Sequence, residues 1–158
     1  MSEAIWKQPE IIRWSQLLLE SYEKLLGHPL IETTGNAEER AKMLFLAPFV
    51  VASHGTETDP TDPIYNYGNQ IALDLWERDW EDFTKTPSRL SAEPILREER
   101  QSILEKAATQ GYLENYQCVR ISRTGKRYKI EDVTLWNVQD EQGKYCGQAA
   151  TFSRWYLL

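Results

Sequence analysis

Few of the chemically capable residues in this chain fall close enough together to suggest a reaction or a ligand. The loop H-G-T-E-T-D-P-T-D-P gathers His54, Glu57, Asp59 and Asp62, and imidazole with carboxylate oxygens is a donor set for divalent cations. Their spacing matches no ligand template, and Asp-Pro pairs are ordinary turn starters, so the expectation is a turn and no metal site. Cys118 and Cys146 lie in strand-like segments with no CxxC or His-flanked spacing, which reads as two small hydrophobes in a reducing compartment. There is no nucleophile elbow, phosphate-cradling Gly loop or HExxH. The two histidines, His28 and His54, both fall in turn-like contexts. An enzyme would have to be assembled from scattered residues that no pattern identifies.

Charge narrows the partners. A formal net charge of -6 and a pI near 5.0 argue against a nucleic-acid surface, which needs a clustered basic face. The one basic cluster, Arg120, Arg123, Lys126, Arg127 and Lys129, surrounds a hairpin turn and reads as solvated. The N-terminus lacks the pattern of a signal peptide and no window approaches a membrane span, so a cytoplasmic protein is expected.

Elements able to position these residues follow in order. From Pro9 to Leu26 apolar residues recur at Ile11, Trp14, Leu18, Tyr22 and Leu25, a helical stripe closed by Gly27. That stripe must pack against the rest of the domain or a second copy. Asn36 with Glu39 predicts a capping box and a second helix through Leu46, which Pro48 stops. Phe49 to Ser53 reads as a buried strand. In P-I-Y-N-Y-G-N-Q-I-A-L-D-L-W, Ile64 and Tyr67 suit a strand, Gly68 breaks it, and Asn69 caps a short helix bearing Ile71, Leu75 and Trp76. As an ordinary cap, Asn69 is structural and contributes roughly 1 kcal/mol. Asp79 starts a further helical turn. A long helix is predicted from Pro94 to Gly111 with Leu96, Ile103, Leu104 and Ala107 as its stripe. Then the period changes to two: Tyr112 to Ser122, Arg127 to Val138 and Tyr145 to Tyr156 form an antiparallel meander joined by Gly-containing turns.

On the middle strand Tyr128, Ile130, Asp132, Thr134, Trp136 and Val138 share one face if the strand is regular, and that face should point inward. Asp132 and Thr134 would then lie among core residues. Alternatively, a bulge between Glu131 and Val133 turns Asp132 outward. Gly147, Ala149 and Thr151 make a face of small side chains, which leaves room for a ligand or lets a helix pack closely.

Two strands, short helices, one longer helix and a three-strand meander resemble the PAS arrangement, with Asn69 at its usual asparagine. The segments L-F-L-A-P-F-V-V-A-S-H, P-I-Y-N-Y-G-N-Q-I-A-L-D-L-W-E, P-S-R-L-S-A-E-P and G-Q-A-A-T-F resemble the MEKHLA-domain proteins, a PAS-like family with free-standing bacterial members. Plant members join this domain to homeodomain-leucine-zipper regulators; no homeodomain or zipper is present here, so the DNA-binding role does not carry over. The resemblance implies an α+β domain: a five-stranded antiparallel sheet in the order 2-1-5-4-3, helices on one face, and N-terminal flanking helices outside it. Residues 1–47 would be the flank and 48–158 the PAS-like domain.

Similarity to flavin-binding light sensors adds a sharper expectation. Pro87-Ser88-Arg89-Leu90 resembles the motif whose cysteine bonds to flavin and whose arginine meets the flavin phosphate; Ser88 stands at the cysteine and Arg89 at the arginine. A hydroxyl of ordinary acidity does not replace the thiol, so adduct chemistry is not expected. The amide side chains that contact the flavin ring have no counterpart: Arg120, Ile130 or Glu131, and Ala149 fall near those positions. Arg89 also reads as a surface ion pair. The expected function is a sensory or signalling module without its own output domain. It would bind a small molecule or a protein partner, with Ser88, Arg89, Asp132, Thr134, Trp136 and Ala149 as candidate ligand residues, and form a homodimer. The alternatives are an interaction module with a filled core and, less favoured, a small enzyme.

Overall fold

The computed structural model describes residues 4–56, 62–91, 101–102, 105 and 109–158. Pro94, Leu96, Ile103, Leu104 and Ala107 of the expected long helix, with Glu57 and Asp59 of the acidic loop, lie outside the described residues.

Helix α1 spans Pro9–Leu26, opens with Pro9 in its first turn and ends on Gly27 at φ 82°, whose N–H donates to the Glu23 carbonyl. Positive φ costs glycine nothing, so the helix stops there. Helix α2, Ala37–Phe45, begins with the reciprocal capping box: Glu39 N–H donates to Asn36 Oδ1 at 2.9 Å and Asn36 N–H to Glu39 Oε1 at 3.1 Å. Strands β1 (Val50–Gly55) and β2 (Tyr65–Gly68) follow, then α3 (Gln70–Trp76) and α4 (Trp80–Phe83). The meander is β3 (Tyr112–Ile121), β4 (Arg127–Gln139), β5 (Tyr145–Phe152) and the short β6 (Arg154–Leu157).

The sheet runs β2-β1-β5-β4-β3, all antiparallel, with β6 paired to β4. Strands β5 and β6 lie end to end along one edge of β4 in unbroken register, Thr134 opposite Thr151 and Glu131 opposite Arg154. The interruption between them faces Asp132, whose φ is 54°. Across β4, strand β3 shifts register twice, once around Asn115 at φ 59° and back again at Asp132. Each strand thus carries one extra residue, and the two irregularities cancel. Asp132 is turned out to an exposed ion pair with Arg154 at 3.1 Å.

Both faces of the sheet are covered. Trp14 of α1 donates its indole N–H to Ser53 Oγ at 2.8 Å, and the fully buried Trp136 donates to the Leu18 carbonyl at 3.2 Å and meets Tyr22 edge-on at 5.0 Å. Ser21 ties α1 to Gln139, accepting from its N–H at 2.8 Å. The outer face, with Val51, Ser53, Trp136, Val138, Gly147 and Ala149 in register, therefore belongs to α1. A Cβ on Gly147 would run into the His54 carbonyl and stand 3.1 Å from the Trp14 ring. The small-residue face accommodates a helix. On the opposite face Trp76 of α3 meets Phe152 edge-on and Tyr65 stacks on Phe83 at 4.3 Å.

Candidate functional site

A cavity of about 60 Å³ opens on that inner face. Because side chains alternate along a strand, β1 presents Ala52 and His54 to it, β5 presents Gln148, Ala150 and Phe152, and β4 presents Val133 and Leu135. Cys118 and Arg120 reach it from β3, with Tyr65 of β2 and Trp76 of α3 closing the wall. The lining is mostly apolar with a few polar groups, the composition of small-molecule sites.

Its polar members have specific surroundings. His54 lies within β1, paired with Gln148 and, across a register shift, with Tyr65. This corrects the turn expected at this histidine: pairing on both sides extends the strand to Gly55. Its Nδ1 lies 3.2 Å from the Gly55 carbonyl, a contact in which the Nδ1-protonated tautomer would be the donor. Gln148 donates from Nε2 to Asn137 Oδ1 at 3.2 Å. Tyr65 shares a 2.7 Å hydroxyl contact with Ser91, which donates to the Ser88 carbonyl. Arg120 was expected in a solvated turn, yet its partly buried side chain lines the cavity beside Cys118, Tyr65 and Tyr116. Burial pulls the guanidinium pKa down, while those three side chains push it up and prevail.

The junction below the cavity is held by Asn69. Fully buried, it accepts from Ala72 N–H at 3.2 Å and Val51 N–H at 3.1 Å, and donates to the carbonyls of Phe49 at 2.7 Å and Leu44 at 3.3 Å. One side chain thus caps α3 and joins it to β1 and to the end of α2. At the other end of α3 the Glu77 carboxylate accepts from Ser122 at 2.9 Å and from Thr124 at 2.7 Å, and Arg123 N–H bonds the Trp76 carbonyl at 3.1 Å. The β3–β4 turn is fastened to the helix that supplies Trp76.

Of the six residues predicted for a ligand site, Ala149 borders the cavity, although its strand position is on the α1 face opposite Ser53 and Trp136. Thr134 and Trp136 sit on strand positions that face α1, and Asp132 is exposed. Ser88 is fully buried, its N–H bonded to the Pro63 carbonyl at 2.9 Å. Arg89 is half exposed and paired with Asp62 at 2.8 Å. Among the described residues no cluster of three metal-ligating side chains forms, and no helix is long and apolar enough to cross a membrane.

The sheet order, the Asn-capped junction and the covered inner face define a PAS fold. Its solved likenesses include the PAS domain of a protein from Colwellia psychrerythraea, at 15% identity and TM-score 0.62 over 77% of this chain and 95% of that one. The blue-light photoreceptor Aureochrome1 LOV domain in its dark structure gives 13% identity and TM-score 0.56 over 79% and 87%. An RNA-binding light-oxygen-voltage receptor gives 15% identity and TM-score 0.62 over 77% of this chain and 34% of that one. No curated protein is a significant sequence match. Residues 12–157 match the MEKHLA domain, and the chain belongs to that family.

Proposed function

We propose that this MEKHLA-domain protein is a sensory or signalling module that takes a small molecule on the inner face of its sheet. The observation that carries the reading is the cavity itself, an apolar chamber into which Arg120, His54 and Gln148 bring polar groups. Sites for drug-sized ligands run to roughly 300–1,000 Å³, so a chamber of about 60 Å³ favours a small occupant. Flavin, suggested by the light-oxygen-voltage likenesses, does not fit the described residues: the chamber is far smaller than a three-ring system, and Arg89 pairs with Asp62 at the surface. The two free thiols suit a cytoplasmic setting.

Native mass spectrometry of the protein purified from its own host tests this reading against Ala150→Leu, which fills the chamber. The expected result is a non-covalent small-molecule adduct on the wild type that the filled variant loses. Bare protein in both, with no shift when a fragment library is added, contradicts it. A second reading, partner binding, is favoured by the exposed Tyr156, Leu157 and Leu158 at the end of the chain; a signalling protein or a second copy would cover them.

A further inference from the structure

Resting on the proposed small-molecule site, we infer that the ligand is a small carboxylate anion with a short apolar body, and that Arg120 is its counter-ion. An arginine keeps its charge at any physiological pH, so it cannot relieve burial by giving up a proton as a lysine would. Burying such a cation without an opposite charge is strongly unfavourable. Among the described residues three neighbouring cations have carboxylate partners: Lys126 pairs with Glu77, Lys129 with Glu131, and Arg154 with Asp132. Arg120 forms no such pair there. Its close neighbours are the Cys118 thiol and the Tyr65 and Tyr116 phenols, none of which is a carboxylate.

Among the described residues no carboxylate supplies that countercharge, which leaves the place to an anion whose shape the walls describe. A guanidinium offers a planar fork of donors that matches a carboxylate in two parallel bonds. The remaining wall, Ala52, Trp76, Leu135, Ala150 and Phe152, suits a short aliphatic body rather than a second charge. A chamber of about 60 Å³ excludes nucleotides and long acyl chains.

The test uses the full chain and a matched series: acetate, propionate and butyrate against acetamide, propionamide and butyramide, with affinity measured by isothermal titration at constant ionic strength. The result expected is that at least one carboxylate binds the wild type about tenfold or more tighter than its amide, the difference a charge-assisted bond makes. Arg120→Gln should abolish that preference while Arg120→Lys keeps part of it. Because the substitution removes a partly buried cation with no carboxylate partner among the described residues, Arg120→Gln should melt no lower than wild type, which separates lost binding from lost folding. Amides binding as well as acids, or an acid preference that survives Arg120→Gln, overturns the inference while leaving the small-molecule site standing. If no acid or amide binds but native mass spectrometry still shows an adduct, the carboxylate assignment alone falls. If neither is seen, both fall.

Discussion

Asn69 shows how far one side chain can exceed its sequence role. As a helix cap it contributes roughly 1 kcal/mol, but it also bonds Val51, Phe49 and Leu44 inside the protein. Each buried group left unsatisfied adds to the cost, so Asn69→Ala should destabilise by on the order of 3 kcal/mol. Urea unfolding that returns only the cost of a surface cap would show that the extra bonds contribute nothing. Arg89 behaves in the opposite way. Its exposed pair with Asp62 is the kind that contributes under about 1 kcal/mol, so Arg89→Ala should leave both the melting temperature and any ligand affinity nearly unchanged. A large loss of affinity would return Arg89 to the ligand site. Spacing placed Asn69 correctly because a cap is a local pattern. It misplaced Arg120 because a residue flanking a basic turn reads as solvated, whereas its place on β3, opposite Tyr128, puts its side chain on the cavity.

At the level of elements, the α3 end and the β3–β4 turn act as one clamp through Glu77. Hydrogen bonds from Thr124 and then Ser122 hold its carboxyl below the ordinary range, with nearby Lys126 adding to the effect. A depressed carboxylate contributes stability that is fully present above the unfolded value, about 4.3, and is lost as pH falls through the lower folded value. The melting-temperature gap between wild type and Glu77→Gln should therefore be constant near neutrality and close in acid. A gap independent of pH would mean that the carboxylate's charge plays no part. The bulge at Asp132 was legible as one of two alternatives, since a carboxylate in an apolar stripe asks for an exit. Its partner irregularity at Asn115 was not, because nothing local to L-E-N-Y distinguishes a regular strand from a shifted one.

Among the described residues the fold was readable from period and turns: the α1 stripe, the capped junction and the meander stand where they were expected. Which face of the sheet holds the site was not. Both faces are buried, so alternation along β4 sorts Thr134, Trp136 and Val138 from Val133 and Leu135 without saying which set meets α1. Trp136 was accordingly given to a ligand and proves to anchor the flanking helix. The same burial bears on assembly. The α1 stripe of Ile11, Leu18 and Tyr22 is buried within the chain itself, so Trp14→Ala should lower the melting temperature without altering the mass seen by light scattering. A change of mass at unchanged stability would make α1 an interface between copies.

The proposed ligand site can be read at single groups by methyl NMR of the wild-type chain titrated with the short carboxylates. Perturbations are predicted at Ala52, Val133, Leu135 and Ala150, which line the inner cavity, with Val51, Val138 and Leu18 on the α1 side unmoved. Shifts confined to the α1 side, or no shifts at saturating concentration, would contradict the account.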